Sequence, residues 1–335
     1  MLDPGARYDE KDMSWQTIFI NPQRHILRSG WRVSVFFLIL VTLREAFGLI
    51  FAFMITGGDL TQASNRMATP IGFTGLYLLL TMAALIASVV CLRAFDRRPL
   101  RSIGYPCRAA WWRDYLIGAG VAAVMLTAVV GTQWLAGGLS LQWSRASTSD
   151  LLNGLVVSLV FFTIAATFEE LTFRGYPLQT LLRDVSPAWA VIITSILFGV
   201  AHSPNPHTSA LGLLNTVLAG IWLAVAYLKT RNLWLCTSLH WSWNWTMSAI
   251  YGLTVSGLEG VVQTSCFGAQ QTGPDWLTGG RYGPEGSLLV TVVVSLGTMI
   301  LWRARWLAPS QNLLVRLESR IEDQVITHES QTTDG

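Results

Sequence analysis

Charge is what this sequence has least of. Of its 335 residues, 13% are charged and 51% apolar, whereas soluble domains carry about 25% charged residues. That leaves too few polar side chains to cover a water-soluble globule. Net charge is only +3, and the basic residues flank apolar blocks instead of forming one patch, which argues against a nucleic-acid partner. Cysteine is scarce too. Cys91, Cys107, Cys236 and Cys266 are spaced too widely for a disulfide framework or a zinc ribbon, and they read as scattered apolar-type residues. The polar, mixed-charge stretch 1–30 has neither the apolar run nor the small-residue cleavage site of a secretory signal. No usable internal repeat emerges.

What the sequence does have is eight apolar segments: 33–55, 72–92, 115–135, 151–168, 188–201, 211–228, 233–253 and 288–302. A membrane-spanning helix needs about 20 apolar residues, so the fifth and eighth need neighbouring residues or burial in protein to complete a crossing. The fold class expected is all-α, a polytopic membrane helical bundle of about eight transmembrane helices. Arginines precede the first segment, fill 93–113, follow the fourth, and follow the eighth at 303–320, with Lys229 and Arg231 between the sixth and seventh. The other loops hold only Arg66, Arg145 and Arg281. The positive-inside rule then places both termini in the cytoplasm, and an even number of spans requires them to share a side. Aromatic residues at segment ends, such as Trp111, Trp112, Tyr115 and Trp134, fit an interfacial belt. The Gly-rich loop 255–287 falls on the non-cytoplasmic side. The stretch 312–325 has helical spacing, and the last ten residues look disordered.

Ionisable residues inside a span are costly, about 2.5–3.5 kcal/mol at the helix centre, so they need a reason. Glu169 and Glu170 close the fourth segment. Glu170 and Arg174, four apart, can pair on one helix face, leaving Glu169 for another neighbour. Taken alone, a salt-bridged helix end explains this cluster equally well. Phe198 and His202 close the fifth segment, and a lone His there is ordinarily an interface or satisfied core residue. His240 and Asn244 share one face of the seventh, where a helix–helix hydrogen bond is the bland alternative. Arg44 and Glu45 fall midway along the first segment. Being adjacent, they are not expected to pair across a helix face, and structural and functional roles weigh equally.

Geometry links the three clusters. If the fourth and fifth segments form a hairpin about the turn signal Asp184-Val185-Ser186-Pro187, then Glu169 and His202 lie fifteen steps from it, about 22 Å along a helix. This requires the polar stretch 171–183 to project beyond the membrane as a hairpin tip. A carboxylate beside two imidazoles and an amide can perform water chemistry, with the carboxylate as base and the others as positioning groups or oxyanion donors. The same Glu169, His202 and His240 could instead ligate zinc with an open fourth position. The helical pattern His-Glu-x-x-His is absent, so a metal is not demanded.

The series Glu169-Glu170-x-x-x-Arg174, Phe198-x-x-x-His202 and His240-x-x-x-Asn244 resembles the family of CAAX proteases and bacteriocin-processing enzymes. Each motif alone is weak; the ordered set is specific and covers 151–253. The resemblance implies an intramembrane endopeptidase. Glu169 would activate water with help from His202, His240 and Asn244 would stabilise the oxyanion, and Glu170 and Arg174 would hold Glu169. The organisation expected is a cytoplasmic segment 1–30, a transmembrane protease domain 31–303 with its motif core at 151–253, and a cytoplasmic tail 304–335. Expected partners are a peptide or protein substrate and the lipid bilayer, with no nucleic acid. The cofactor is left open between zinc and a favoured metal-free glutamate mechanism. The Lys-poor, Trp-rich style points to a bacterial inner membrane. Two rivals are a non-catalytic immunity or scaffold protein of the same fold and a proton-coupled transporter.

Overall fold

A computed structural model describes residues 18–21, 26–67, 69–106 and 111–307. Its principal helices are α1 (Ser29–Thr56), α2 (Pro70–Cys91), α3 (Trp111–Leu135), α4 (Thr148–Glu170), α5 (Tyr176–Leu181), α6 (Pro187–Ala201), α7 (Ala210–Thr230), α8 (Trp234–Trp245) and α9 (Leu288–Arg303). Five helical stretches are long and apolar enough to cross a membrane: Ser29–Thr56, Pro70–Asp96, Trp111–Leu135, Thr148–Leu181 and Ala210–Thr230. The protein is therefore an integral membrane protein built as a polytopic helical bundle. The helices Pro187–Ala201 and Leu288–Arg303 are apolar but short, as their sequence segments imply.

Local chemistry sets the helix starts. Thr69, Ser147, Ser186, Ser209 and Ser287 each accept a backbone N–H of the first turn. These side chains satisfy donors that an isolated helix leaves unpaired. Proline occupies the first turn of α2 and α6, where its missing N–H costs nothing.

Packing places α4, α6, α7 and α8 around one interior, with α3 behind α8, α9 beside α7, α2 covering α4, and α1 packed on α2 and α5. Small residues permit the closest approaches. A Cβ at Gly118 of α3 would stand 2.0 Å from Ser238 Oγ on α8, and one at Gly220 of α7 would stand 2.9 Å from Ser195 Cβ on α6.

One end of the bundle is tied by buried charge. Fully buried Arg32 donates from Nη1 to Asp96 at 2.5 Å and from Nη2 to Asp184 at 3.4 Å, and Arg183 also pairs with Asp96. The Ser29 backbone N–H donates to Asp184 Oδ2 at 2.8 Å. The start of α1 is thus fixed at the level of the turn between α5 and α6.

Two expectations need correction. The stretch 171–183 is not a projecting polar tip: α4 runs on through a π-helical turn, Leu171–Gly175, into α5, and Leu171, Tyr176 and Leu178 are buried. Its apolar side chains pack on α1 and α6, for example Tyr176 stacked on Phe36 at 5.5 Å, so burial outweighs projection. Arg44 and Glu45 do pair, Nε to Oε1 at 3.0 Å, because two long side chains can bend toward one another from adjacent positions. The loops flanking the bundle also carry an antiparallel ribbon, β1 (Leu139–Trp143) with β2 (Phe267–Gln271), registered Leu139↔Gln271 to Trp143↔Phe267. Neither strand was legible in the sequence of its loop. Cys91, Cys236 and Cys266 are free thiols. Cys107, the helical reading of 312–325 and the disordered reading of the tail lie outside the described residues.

Candidate active site

The π-helical turn after α4 immediately follows Glu170, and a second, Thr246–Ile250, follows α8 just beyond Asn244. Such single π turns inside α-helices are frequent at functional sites.

The interior holds a cavity of about 850 Å³ whose lining includes Glu169, Phe198, His202, His240 and Asn244. Glu169 Oε2 lies 3.7 Å from His202 Nε2 and 3.6 Å from His240 Nε2. The three side chains are 15%, 16% and 9% exposed, enough to meet the cavity. Glu169 Oε2 is buried without a hydrogen-bond partner among the described residues.

Each imidazole is oriented from behind. His202 Nδ1 lies 2.8 Å from the Phe198 carbonyl oxygen. A carbonyl can only accept, so Nδ1 carries the proton and a neutral His202 offers Nε2 as an acceptor. His240 Nδ1 lies 2.8 Å from Glu170 Oε1, and with the carboxylate ionised it likewise donates there. Arg174 Nη1 donates to the same Oε1 at 3.0 Å and Nη2 to the Gly220 carbonyl at 3.0 Å. Phe198 packs between these groups, its centroid 4.5 Å from the Arg174 Cζ and 4.5 Å from the His202 ring. The resemblance assigned Glu170 and Arg174 to holding Glu169. In the structure Glu170 turns away from Glu169 on the helix and meets His240, and Arg174 donates to Glu170 and to the Gly220 carbonyl.

Several cavity residues carry no sequence motif. Asn205 donates from Nδ2 to the Ser256 carbonyl at 3.0 Å, and Ser256 N–H and Oγ–H both donate to Glu285 Oε2 at 2.7 Å. These three residues, with Asn215 and Tyr77, line the same cavity. Glu285 and Ser256 come from the loop between α8 and α9, 45 and 16 residues past His240 in the chain, and nothing local in the sequence signals their return.

Residues 150–246 match the family described as type II CAAX prenyl endopeptidase, Rce1-like. The resemblance read from the three motifs is thus shown for the segment from α4 to α8 that carries them. The chain is also similar to the uncharacterized protein YyaK of Bacillus subtilis (strain 168), with 24% identity over 212 residues, covering 61% of this chain and 68% of that protein. The Rce1-like match lies within the part of the bundle that surrounds the cavity, while α1, α2 and α3 lie outside it.

The donor set does not match the spacing of a tetrahedral metal site. Tetrahedral zinc with bonds of about 2.0–2.1 Å needs ligand atoms about 3.3 Å apart. Glu169 Oε2 stands farther than that from both ring nitrogens, at 3.7 and 3.6 Å. Among the described residues, no group of three or more His, Cys, Asp and Glu is arranged to hold a metal ion.

Proposed function

We propose that this protein is an intramembrane endopeptidase that hydrolyses peptide bonds with a glutamate-activated water. One observation carries the reading. Glu169 Oε2, buried and unpartnered among the described residues, stands 3.7 Å from an imidazole nitrogen that offers a lone pair. Two acceptors facing one another call for a donor between them. A water molecule can donate one hydrogen to each and point its own lone pair into the cavity. The Rce1-like match supports a peptide as the molecule attacked.

In the reaction the water oxygen bonds to the substrate carbonyl carbon as its proton passes to Glu169. His202, fixed by the Phe198 carbonyl, orients that water. The carbonyl oxygen becomes an oxyanion that accepts hydrogen bonds from His240 and Asn244. Because His240 Nδ1 already donates to Glu170, its Nε2 carries a hydrogen only in the imidazolium form, and the oxyanion role requires that form. Collapse breaks the C–N bond, and the departing amine takes the proton from Glu169. The apolar walls raise the value of each of these hydrogen bonds by lowering the local dielectric.

The test is Glu169→Gln, which keeps shape and removes the base. The expected loss in cleavage rate is at least about a hundredfold, typical of general-base removal. Membrane peptides from cells carrying wild type and variant, compared by mass spectrometry, should differ in the products of the wild type alone. A purified variant cleaving at the wild-type rate would overturn the assignment.

A further inference from the structure

The ion pair Arg44–Glu45 is not accounted for by the site just described. It lies near the middle of α1: of 28 residues, Arg44 is the sixteenth. Its distances to Ser29 and Thr56 are 15 and 12 residues, about 22 and 18 Å along the helix, too far for the snorkelling that serves residues near helix ends. Both side chains are more than half exposed, 58% and 62%. Charged groups at such depth line a bundle interior or a water-filled cavity, since hydrocarbon solvates neither.

The structure fixes their height relative to the catalytic residues. The Ser29 N–H bonds Asp184 at 2.8 Å, so α1 starts level with the turn that precedes α6. Arg44 is 15 residues above Ser29, and His202 is 15 residues above Pro187. At one rise per residue, about 22 Å in both cases, Arg44 and His202 reach the same level. Both, with Glu45, line the same cavity as Glu169. Tyr77 of α2 is also in the lining, within electrostatic reach of both the Glu169 carboxylate and the Arg44 guanidinium. Edge-on packing against Phe161 and Phe168 at 5.3 and 5.9 Å holds its ring. Much of the remaining wall on this side is apolar, with Leu40, Val41, Leu49, Phe73 and Leu80.

We propose that Arg44 and Glu45 are positioning residues for water. Together they keep the α1 side of the cavity hydrated and so bring bulk water to the level of Glu169. Hydrolysis consumes one water per bond cut, and a site among apolar helices needs a route for it. A net-neutral pair of full charges holds water without repelling a substrate of either sign. What the delivered water does rests on the hydrolytic reading above; its presence does not.

The experiment uses the full-length protein in lipid nanodiscs with its native cysteines replaced and Ala201→Cys introduced. Ala201 is exposed, lines the cavity and neighbours His202. The probe is a cationic, membrane-impermeant methanethiosulfonate reagent, which reacts with thiolate only where water reaches it. Labelling is expected with the native pair, to fall at least about tenfold in R44L/E45L, and to stay within about threefold in the inverted pair R44E/E45R, because hydration follows charge and not its order. Undiminished labelling in R44L/E45L, or an equal loss in the inverted pair, would overturn the proposal. Labelling needs no turnover. If it behaves as expected while Glu169→Gln cleaves like wild type, hydration stands and the hydrolytic reading fails.

Discussion

Glu170→Gln probes the group on which two other charges depend. Glu170 Oε1 meets both Arg174 Nη1 at 3.0 Å and His240 Nδ1 at 2.8 Å. The Glu170 and Arg174 side chains are 0% and 1% exposed. Replacing the carboxylate with an amide leaves a buried guanidinium without a counter-charge, held by neutral groups such as the Gly220 carbonyl and the Phe198 ring. Removing one partner of a buried pair costs about 3–5 kcal/mol. Glutamine still accepts a hydrogen bond, so the lower end applies, about 3 kcal/mol or roughly two powers of ten in the folding equilibrium. Adding Arg174→Met removes the stranded cation and should recover at least about half of that loss. Activity should not recover with it. His240 would face an amide free to rotate, and misplacing a catalytic group by about 1 Å costs on the order of a hundredfold. Denaturant titration in detergent gives the stability arm, and cleavage of a substrate found by the membrane-peptide comparison gives the rate arm. A single variant within about 0.5 kcal/mol of wild type, or a double variant with wild-type turnover, would refute the reasoning.

Asn244→Ala should lower turnover by about tenfold to a thousandfold, the range for an oxyanion donor, with the thermal midpoint unchanged; a fall in stability with turnover intact would make Asn244 a packing residue. Purified protein should carry well under one zinc per chain. Stoichiometric zinc, removable with full loss of activity and restored by adding it back, would instead establish Glu169, His202 and His240 as ligands. Both termini and the 93–113 loop should label from the cytoplasmic side in cysteine accessibility mapping, as the arginine distribution demands; a C-terminus reached only from the opposite face would show that a span has been miscounted.

Much of the bundle follows from the sequence because membrane insertion is a local property. A run of apolar residues specifies a helix whatever its neighbours do, since its backbone must be satisfied internally. The eight segments and the scatter of the cysteines were legible for that reason. So was the oddity of Glu169, His202, His240 and Arg44, because a charge or imidazole in such a run stands out against a uniform background. The Rce1-like resemblance was legible because all three motifs fall within 150–246.

Only the tertiary structure decided how these residues use one another. Sequence spacing allowed Glu170 to serve Glu169 or any other neighbour. The packing of α4 on α8 gives it His240 at 2.8 Å, while Glu169 is left facing both Nε2 atoms. The stretch 171–183 reads as a polar tip because its charges are counted without their partners. Once Arg174 meets Glu170 and Arg183 meets Asp96, most of that segment can be buried. Glu285 reaches the cavity because the loop between α8 and α9 folds back to it, and the Ser29–Asp184 contact helps set the height at which Arg44 meets it. Periodicity and hydropathy along one chain report what each residue prefers. Which distant partner satisfies a buried charge depends on helix packing, and that information is shared among segments far apart in the sequence.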